Sequence, residues 1–496
     1  MKGHLAVSLQ AAMDPTLACL SATLVCAAGY LLLRSRKEHP PFAPGPPANP
    51  IVGNILQLPT SAAWFKCMEW KAKYGDLVYL HGIGKSVLIV NNLSCVTDLL
   101  ERRWSIYSHR PTFTAVGELM GVDQSLALMS YGEEWREHRK IVHGSLNPTA
   151  VKKWHAVQQE MAALLNKDLL NDPREFQHHI RLTASRIVLY VGYGLFAPDM
   201  EDPYIQDNEK TMDIIGHGMS PGAFLCDLFP ILKYSPSWVP FQRRIAESKK
   251  VIERTGMAPP SLAKDLIMSG NDESYFQNRA TWAVSSMYGA GTETTSATVQ
   301  TFVLAMALYP NVQKRAQDEI DTVVGLDRMP VIADMPQLPF IQALIKETLR
   351  WHPPVPLSIP HRTTQDDIYE GFFIPKDTIV FPNIWAITRD TSNPEEFNPD
   401  RFLLESDKPV DPFGYVFGTG RRICTGMHLA ENSVFAMVSG ILFAFNIASP
   451  TGAKLVPRFN SKHISSPENF ECTITPRSEA KAELVRQIAA DVTIGV

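Results

Sequence analysis

The sequence lacks any pair of cysteines at metal-binding spacing. Its seven cysteines (Cys19, Cys26, Cys67, Cys95, Cys226, Cys424, Cys472) are scattered, with no Cys-x-x-Cys among them. That argues against a zinc module or a disulfide framework and points to a reducing compartment. Basic charge is not in excess either. The balance of 47 Lys+Arg against 51 Asp+Glu gives a formal net charge of −4, without the basic face of a nucleic-acid binder. Repeats, low-complexity tracts and a clean linker inside 51–496 are missing, which disfavours a solenoid or a string of small modules. No flavin or nicotinamide fingerprint occurs. What remains is a 496-residue chain, 45% apolar and 20% charged, globular in composition and long enough for one large core.

One uncharged apolar run lies near the N-terminus. Residues 16–33 read TLACLSATLVCAAGYLLL, and RSRK follows directly. At about 1.5 Å of rise per residue this is close to the minimum that spans a bilayer. Ala27 and Gly29 also fit a signal-peptide cleavage site, but leucines and then a basic cluster follow them, which is the pattern of a retained anchor. Arg34, Arg36 and Lys37 place the downstream side in the cytosol. On that topology the sequon Asn92-Leu93-Ser94 stays unmodified. HPPFAPGPPANP, residues 39–50, is a stiff extended link. The chain thus divides into a short lumenal segment (1–15), a transmembrane anchor (16–33), a basic and proline-rich hinge (34–50) and the body (51–496).

The body opens on two apolar runs, Leu77–Leu80 and Val87–Val90, around GIGK, which predicts a hairpin rather than a phosphate loop. Helical patterning dominates beyond about residue 95. Its longest stretch runs from Phe276 to Leu308 and is expected to cross the molecule. The middle of that stretch, GAGTETT, is poor helix material, and a local distortion or, more plainly, a strained packing site is expected there. Short strands and proline turns fill 353–402, and a helix follows Cys424. The pattern is mainly α with a smaller β portion.

Cys424 lies in FGTGRRICTG, residues 417–426. A thiolate is a strong soft ligand for iron, and it needs local positive potential to stay deprotonated. Cys424 stands directly before a predicted helix, whose free N–H groups point toward its sulfur. Gly420 permits a positive-φ turn, and Gly426 removes a side chain that would hold the helix away from a flat cofactor. Arg422 offers a guanidinium to a carboxylate. Each residue alone has an ordinary explanation, a buried thiol at a turn among them. The set is far more specific.

Phe417, Gly420, Arg422, Cys424 and Gly426 match every fixed position of Phe-x-x-Gly-x-Arg-x-Cys-x-Gly, and the stretch resembles the haem-ligating loop of cytochromes P450. Four further stretches are similar to that family in the same order along the chain. These are Trp135-Arg136-Glu137-His138-Arg139, Ala290-Gly291-Thr292-Glu293-Thr294-Thr295, the Glu347–Arg350 pair of an Glu-x-x-Arg helix, and Phe397-Asn398-Pro399-Asp400-Arg401-Phe402. PGAFLCDLFPILKYSPSW, residues 221–238, resembles the fungal branch.

The resemblance implies a cytochrome P450 fold, with a single large haem domain behind the N-terminal anchor. It implies haem b, with Cys424 as the metal ligand, and with Phe417, Gly420, Arg422 and Gly426 about it. Trp135, Arg139 and His361 would meet the haem propionates. Glu347, Arg350 and Arg401 would form a buried network behind the cysteine loop, and Thr294 with Glu293 would relay protons toward dioxygen. A threonine bonded back to its own helix carbonyl is the plainer reading of Thr294. The implied activity is insertion of one oxygen atom from O2 into an apolar small molecule such as a terpenoid, sterol or polyketide. Electrons would come from NADPH indirectly, through a separate NADPH-cytochrome P450 reductase, with cytochrome b5 as an accessory donor, at the endoplasmic reticulum membrane. An O2-independent isomerase or dehydratase and a non-enzymatic haem binder are the rival classes, disfavoured by the retained Glu293-Thr294 pair. Expected pocket lining comes from Phe113–Leu128, Trp282–Tyr288, Val355–Ile359 and His463–Pro467. Val116, Leu119, Met120, Met287, Val355, Leu357 and Ile359 are its main apolar members, and Ser358 is its polar probe.

Overall fold

Proline marks several helix starts in this chain. Pro203, Pro310 and Pro339 each occupy a first helical position, where the missing N–H would have had no partner anyway. The computed structural model describes residues 39–494 apart from 55–56, 83, 220–222, 257–272, 407 and 451–454. The expected anchor at 16–33 lies outside the described residues.

The longer helices are α1 (Ala63–Tyr74), α2 (Glu133–Leu146), α3 (His155–Asn171), α4 (Phe176–Tyr193), α5 (Pro203–Gly218), α6 (Pro240–Gly256), α7 (Glu273–Leu308), α8 (Pro310–Val323), α9 (Pro339–Trp351), α10 (Met427–Ala444) and α11 (Glu479–Ala490). The strands are β1 (Leu77–Gly82), β2 (Lys85–Val90), β3 (His361–Arg362), β4 (Asp367–Tyr369), β5 (Phe372–Ile374), β6 (Ile379–Pro382), β7 (Phe445–Ala448) and β8 (Thr473–Pro476). β1 and β2 form the expected antiparallel hairpin, closed by the Gly82–Lys85 pair with Gly84 at φ +68°. β6 joins β2 in parallel, and β3 adds to β6 antiparallel, so His361 lies opposite Val380. β4 pairs with β5 and β7 with β8.

At 36 residues α7 is about 54 Å long and crosses the molecule. Its second half packs Phe302, Leu304 and Met306 against α9 and α10, where Leu344, Phe435 and Leu442 are almost wholly buried. Burying each such side chain stabilises the fold by about 1.5–3 kcal/mol. α10 is long and apolar enough to cross a membrane by length and composition, yet 72% of it is buried. It is a core helix, buried on every side from Ser433 to Ala444, with its polar residues His428, Glu431 and Asn432 in the first turns.

Of the two readings of GAGTETT, the packing site is the one seen: α7 is helical without a break through these residues, and its glycines serve close packing. A Cβ at Gly291 would lie 2.9 Å from Val188 of α4, and one at Gly289 would lie 2.8 Å from Met212 of α5. Gly192 of α4 meets Val284 of α7 in the same way, at 2.9 Å. Small residues at these crossings let the helices approach further than larger side chains would allow.

Candidate active site

Cys424 ends a tight loop turned by backbone bonding and glycines. Its amide donates to the carbonyl of Phe417 at 2.8 Å, and Gly418 and Gly420 turn at φ +78° and +62°. Such angles suit glycine, which has no Cβ to clash. At Gly420 the constraint is double, since an added Cβ would stand 2.3 Å from the carbonyl oxygen of Leu100. At Gly426 the only nearby atom would be the Cys424 sulfur, at 3.9 Å, so the space beside it is open. The thiol is accessible yet deep in the protein, because its free surface faces an internal cavity. Burial pushes its pKa up, while the amide of Gly426 and the Arg139 charge pull the other way.

That cavity encloses about 280 Å³. The cysteine loop and the start of α10 form one wall, with Phe417, Gly418, Cys424 and Gly426. Ala283, Met287, Ala290, Gly291 and Thr294 of α7 form another. The Thr294 hydroxyl donates to the carbonyl of Ala290 at 2.8 Å, so its proton is engaged and its lone pairs remain to accept. Val355, Ser358 and Ile359 close the cavity from the segment after α9, with Ser358 held at φ +54°.

One end of the cavity is strongly cationic. Arg110, Arg139 and Arg422 line it together with Trp135 and His361. Arg422 donates to the carbonyls of Ser108 and Met129, both at 2.7 Å, and stacks over Trp135 at 4.5 Å. Arg110 donates to the carbonyls of Ala127, Ile359 and Pro360, and Arg139 donates to that of Ile423. Among the described residues, none of the three has a carboxylate partner at salt-bridge distance. Burial, with Arg110 and Arg139 adding repulsion, brings the Arg422 pKa down to about 8; burial alone brings Arg110 down to about 9. Buried cations without an anion are costly, so this end calls for a negatively charged ligand.

Behind the loop, Glu347 is fully buried and accepts from Arg350 at 2.7 and 2.9 Å, from Arg401 at 3.1 Å and from the amide of Asn398 at 2.7 Å. Arg350 also holds the carbonyls of Pro394 and Glu396. The network therefore ties α9 to the chain that leads into the cysteine loop.

The family model for cytochrome P450 matches residues 43–473. The chain belongs to the cytochrome P450 family. Among curated relatives, cytochrome P450 monooxygenase COX2 of Coprinopsis cinerea is 36% identical over 95% of this chain and 96% of its own length. Cytochrome P450 monooxygenase claR of Ampulloclitocybe clavipes is 37% identical over 95% and 92%. Among solved structures, a zebra fish cytochrome P450 with abiraterone superimposes with a TM-score of 0.68 at 26% identity, covering 84% of this chain and 100% of that one. The chain is thus an enzyme of the P450 monooxygenase class, close to fungal members.

P450 membership implies haem, and the residues present fit it. Haem carries two carboxylates, which answer the three guanidiniums that lack one. The open space at Gly426 and the inward thiol suit a flat iron complex beside the sulfur. Trp135, Arg139, His361, Phe417, Arg422, Gly426, Cys424 and Thr294 all reach the cavity. Gly420 does not; it seats the loop on Leu100. Glu293 does not line the cavity either. It lies on α7 among Lys462, Asp213, Arg181 and Glu209, and burial raises its pKa.

The expected pocket lining holds only in part. Met287, Val355 and Ile359 face the cavity. Val116, Leu119 and Met120 do not: their turn packs them with Phe224, Ile245 and Ile252. Leu357 turns to the sheet with Val78 and Ile89. The late loop is likewise absent from the wall, with Ser465 engaged by His352 at 2.8 Å. The sequence reading missed Arg110 and Gly418. Nothing in the pattern about Arg110 marks it, whereas the Gly418 position is legible as the first glycine of the loop.

Proposed function

We propose that this P450 inserts one oxygen atom from O2 into an apolar small molecule of the terpenoid, sterol or polyketide kind. Electrons come from NADPH through a separate reductase, at the endoplasmic reticulum membrane, where residues 16–33 anchor the chain. The observation that carries this reading is a cysteine thiol facing a cavity that is cationic at one end and apolar at the other. Thiolate-ligated haem, when bound, supplies dioxygen activation and electron density that favours O–O cleavage.

The chain's own residues do the rest. Cys424 holds the metal side, and Arg110, Arg139, Arg422 and His361 hold the carboxylate end. Ala283, Met287, Val355 and Ile359 exclude water and seat an apolar substrate, since few polar groups there compete for it. Thr294 presents its lone pairs to the cavity, where they can accept a hydrogen bond from water. Rotation of its hydroxyl away from Ala290 turns the proton inward. Glu293, its neighbour on the other side of α7, faces charged groups that lead outward, which suits exchange of protons with solvent.

The test is a reduced-minus-CO spectrum followed by a substrate screen with reductase and NADPH. Wild type gives the thiolate–CO band and an oxygenated product that depends on NADPH. Cys424→Ala loses the band, and Thr294→Ala keeps the band while a larger share of the NADPH consumed yields no product. A thiolate band in Cys424→Ala, or product formed equally well without reductase, would overturn the reading.

A further inference from the structure

The Nδ1 atom of His361 lies 2.8 Å from the carbonyl oxygen of Tyr107. A carbonyl only accepts, so Nδ1 carries the proton, and in the neutral ring Nε2 is then a bare lone pair. Its surroundings favour the neutral ring. It is buried, and Arg110 and Arg422 act on it with positive charge, holding its pKa well below the ordinary histidine value. The Tyr107 carbonyl, which accepts the Nδ1 proton, pulls the other way, and burial with the Arg110 charge outweighs it. The Tyr107 hydroxyl is turned to Asp367 at 2.9 Å. Arg362, next along β3, pairs with Asp377 at 2.6 Å. His109 is itself held low by burial, with Arg362 and Arg422 adding to the effect. The residue opposite on β6, Val380, is apolar.

Arg110 and Arg422 are two of the three guanidiniums without a carboxylate, and both act on His361. All three line one cavity, and Arg110 holds the carbonyl of Pro360, the residue before His361, at 2.9 Å, so a cofactor carboxylate drawn to the arginines would stand beside the imidazole. There it meets a difficulty. A carboxylate and the lone pair of Nε2 are two acceptors with no hydrogen between them.

We propose that His361 is a proton-binding member of the haem site: seating the cofactor's carboxylate takes up one proton, which bridges Nε2 and the carboxylate oxygen. The balance is one neutral imidazole, one carboxylate and one proton from water, giving a single N–H···O pair, with no electron moved. The uptake is the same whether that proton resides on nitrogen or on oxygen. An arginine at this position would bring its own proton, and a glutamine would donate an amide N–H, so neither requires uptake.

The proposal rests on haem occupying this cavity. Its sign follows from linkage. The carboxylate raises the pKa of the His361 pair in the loaded protein above its value in the empty one. Haem affinity is therefore full at low pH and falls as pH rises, by about tenfold per unit between the two values.

The experiment uses full-length holoenzyme of wild type, His361→Gln and His361→Arg. Haem is partitioned to equilibrium against an apoglobin acceptor at steps from about pH 6.5 to about pH 9. Titration of the acceptor, of free haem and of the Cys424 thiol is common to the three proteins and cancels in their ratios. The expected result is a wild-type to His361→Gln affinity ratio that falls about tenfold per pH unit over at least one unit. The His361→Arg to His361→Gln ratio stays flat. A flat wild-type ratio overturns the proposal. If His361→Gln retains no haem, the ratio of wild type to His361→Arg makes the same comparison. Failure of the haem assignment itself shows separately, as a wild-type protein without haem absorbance or a thiolate–CO band.

Discussion

Replacing Glu347 by leucine tests the frame that holds the cysteine loop. The carboxylate is fully buried and accepts four hydrogen bonds, two from Arg350, one from Arg401 and one from the amide of Asn398. In Glu347→Leu both guanidiniums keep part of their company: Arg350 retains the carbonyls of Thr388, Pro394 and Glu396, and Arg401 retains those of Ser392 and Glu396. What they lose is the one carboxylate at salt-bridge distance among the described residues, and Asn398 loses its acceptor. Stranding buried charge costs about 3–5 kcal/mol, and the orphaned amide places the expected loss at the upper end, near 5. Urea titration of holoprotein followed by circular dichroism measures it. The triple variant Glu347→Leu, Arg350→Met, Arg401→Met removes the stranded charges as well. It should therefore lose less than the sum of the three single changes. A single-variant loss below about 1 kcal/mol, or full additivity in the triple, refutes the argument.

Two glycines of the cysteine loop should respond differently to alanine. Gly420→Ala forces a Cβ to 2.3 Å from the Leu100 carbonyl at φ +62°. It should cost at least about 2 kcal/mol of stability, read as an earlier urea midpoint. Gly426→Ala meets only the sulfur, at 3.9 Å, so it should fold normally yet hold less haem, measured as absorbance per protein. Burial raises the pKa of Glu293 in the folded protein, so the folded state holds its proton more tightly than the unfolded one. That contribution is present below the unfolded value, about 4.5, and is lost as pH rises through the folded value. Glu293→Gln should therefore be more stable than wild type near neutral pH, with the gap closing in acid. Equal urea midpoints at both pH values would show that the carboxyl is not desolvated.

Much of the site was legible because its chemistry is local in the chain. The loop from Phe417 to Gly426 carries its ligand, its turn and its helix start within ten consecutive residues. The hairpin at 77–90 and the Glu347–Arg350 pair are equally local, one a period of two around glycines and the other a spacing of three on a helix. The pocket was not legible in this way. Val116 and Met287 look alike as apolar residues in helical stretches, yet one packs against Phe224 and the other faces the cavity. GAGTETT left two readings open for the same reason: its glycines answer to Val188 and Met212, which are remote in the chain.

The sequence by itself determined that a thiol stands at the mouth of a helix with an arginine two residues before it, since covalent neighbours keep their order in any fold. Only the tertiary structure decided that Arg110 and His361, from separate parts of the chain, join Arg139 and Arg422 at one end of one cavity. Spacing cannot report this, because charge accumulates through space. The missing carboxylate is visible only once every neighbour of the four cationic or titratable groups is in place.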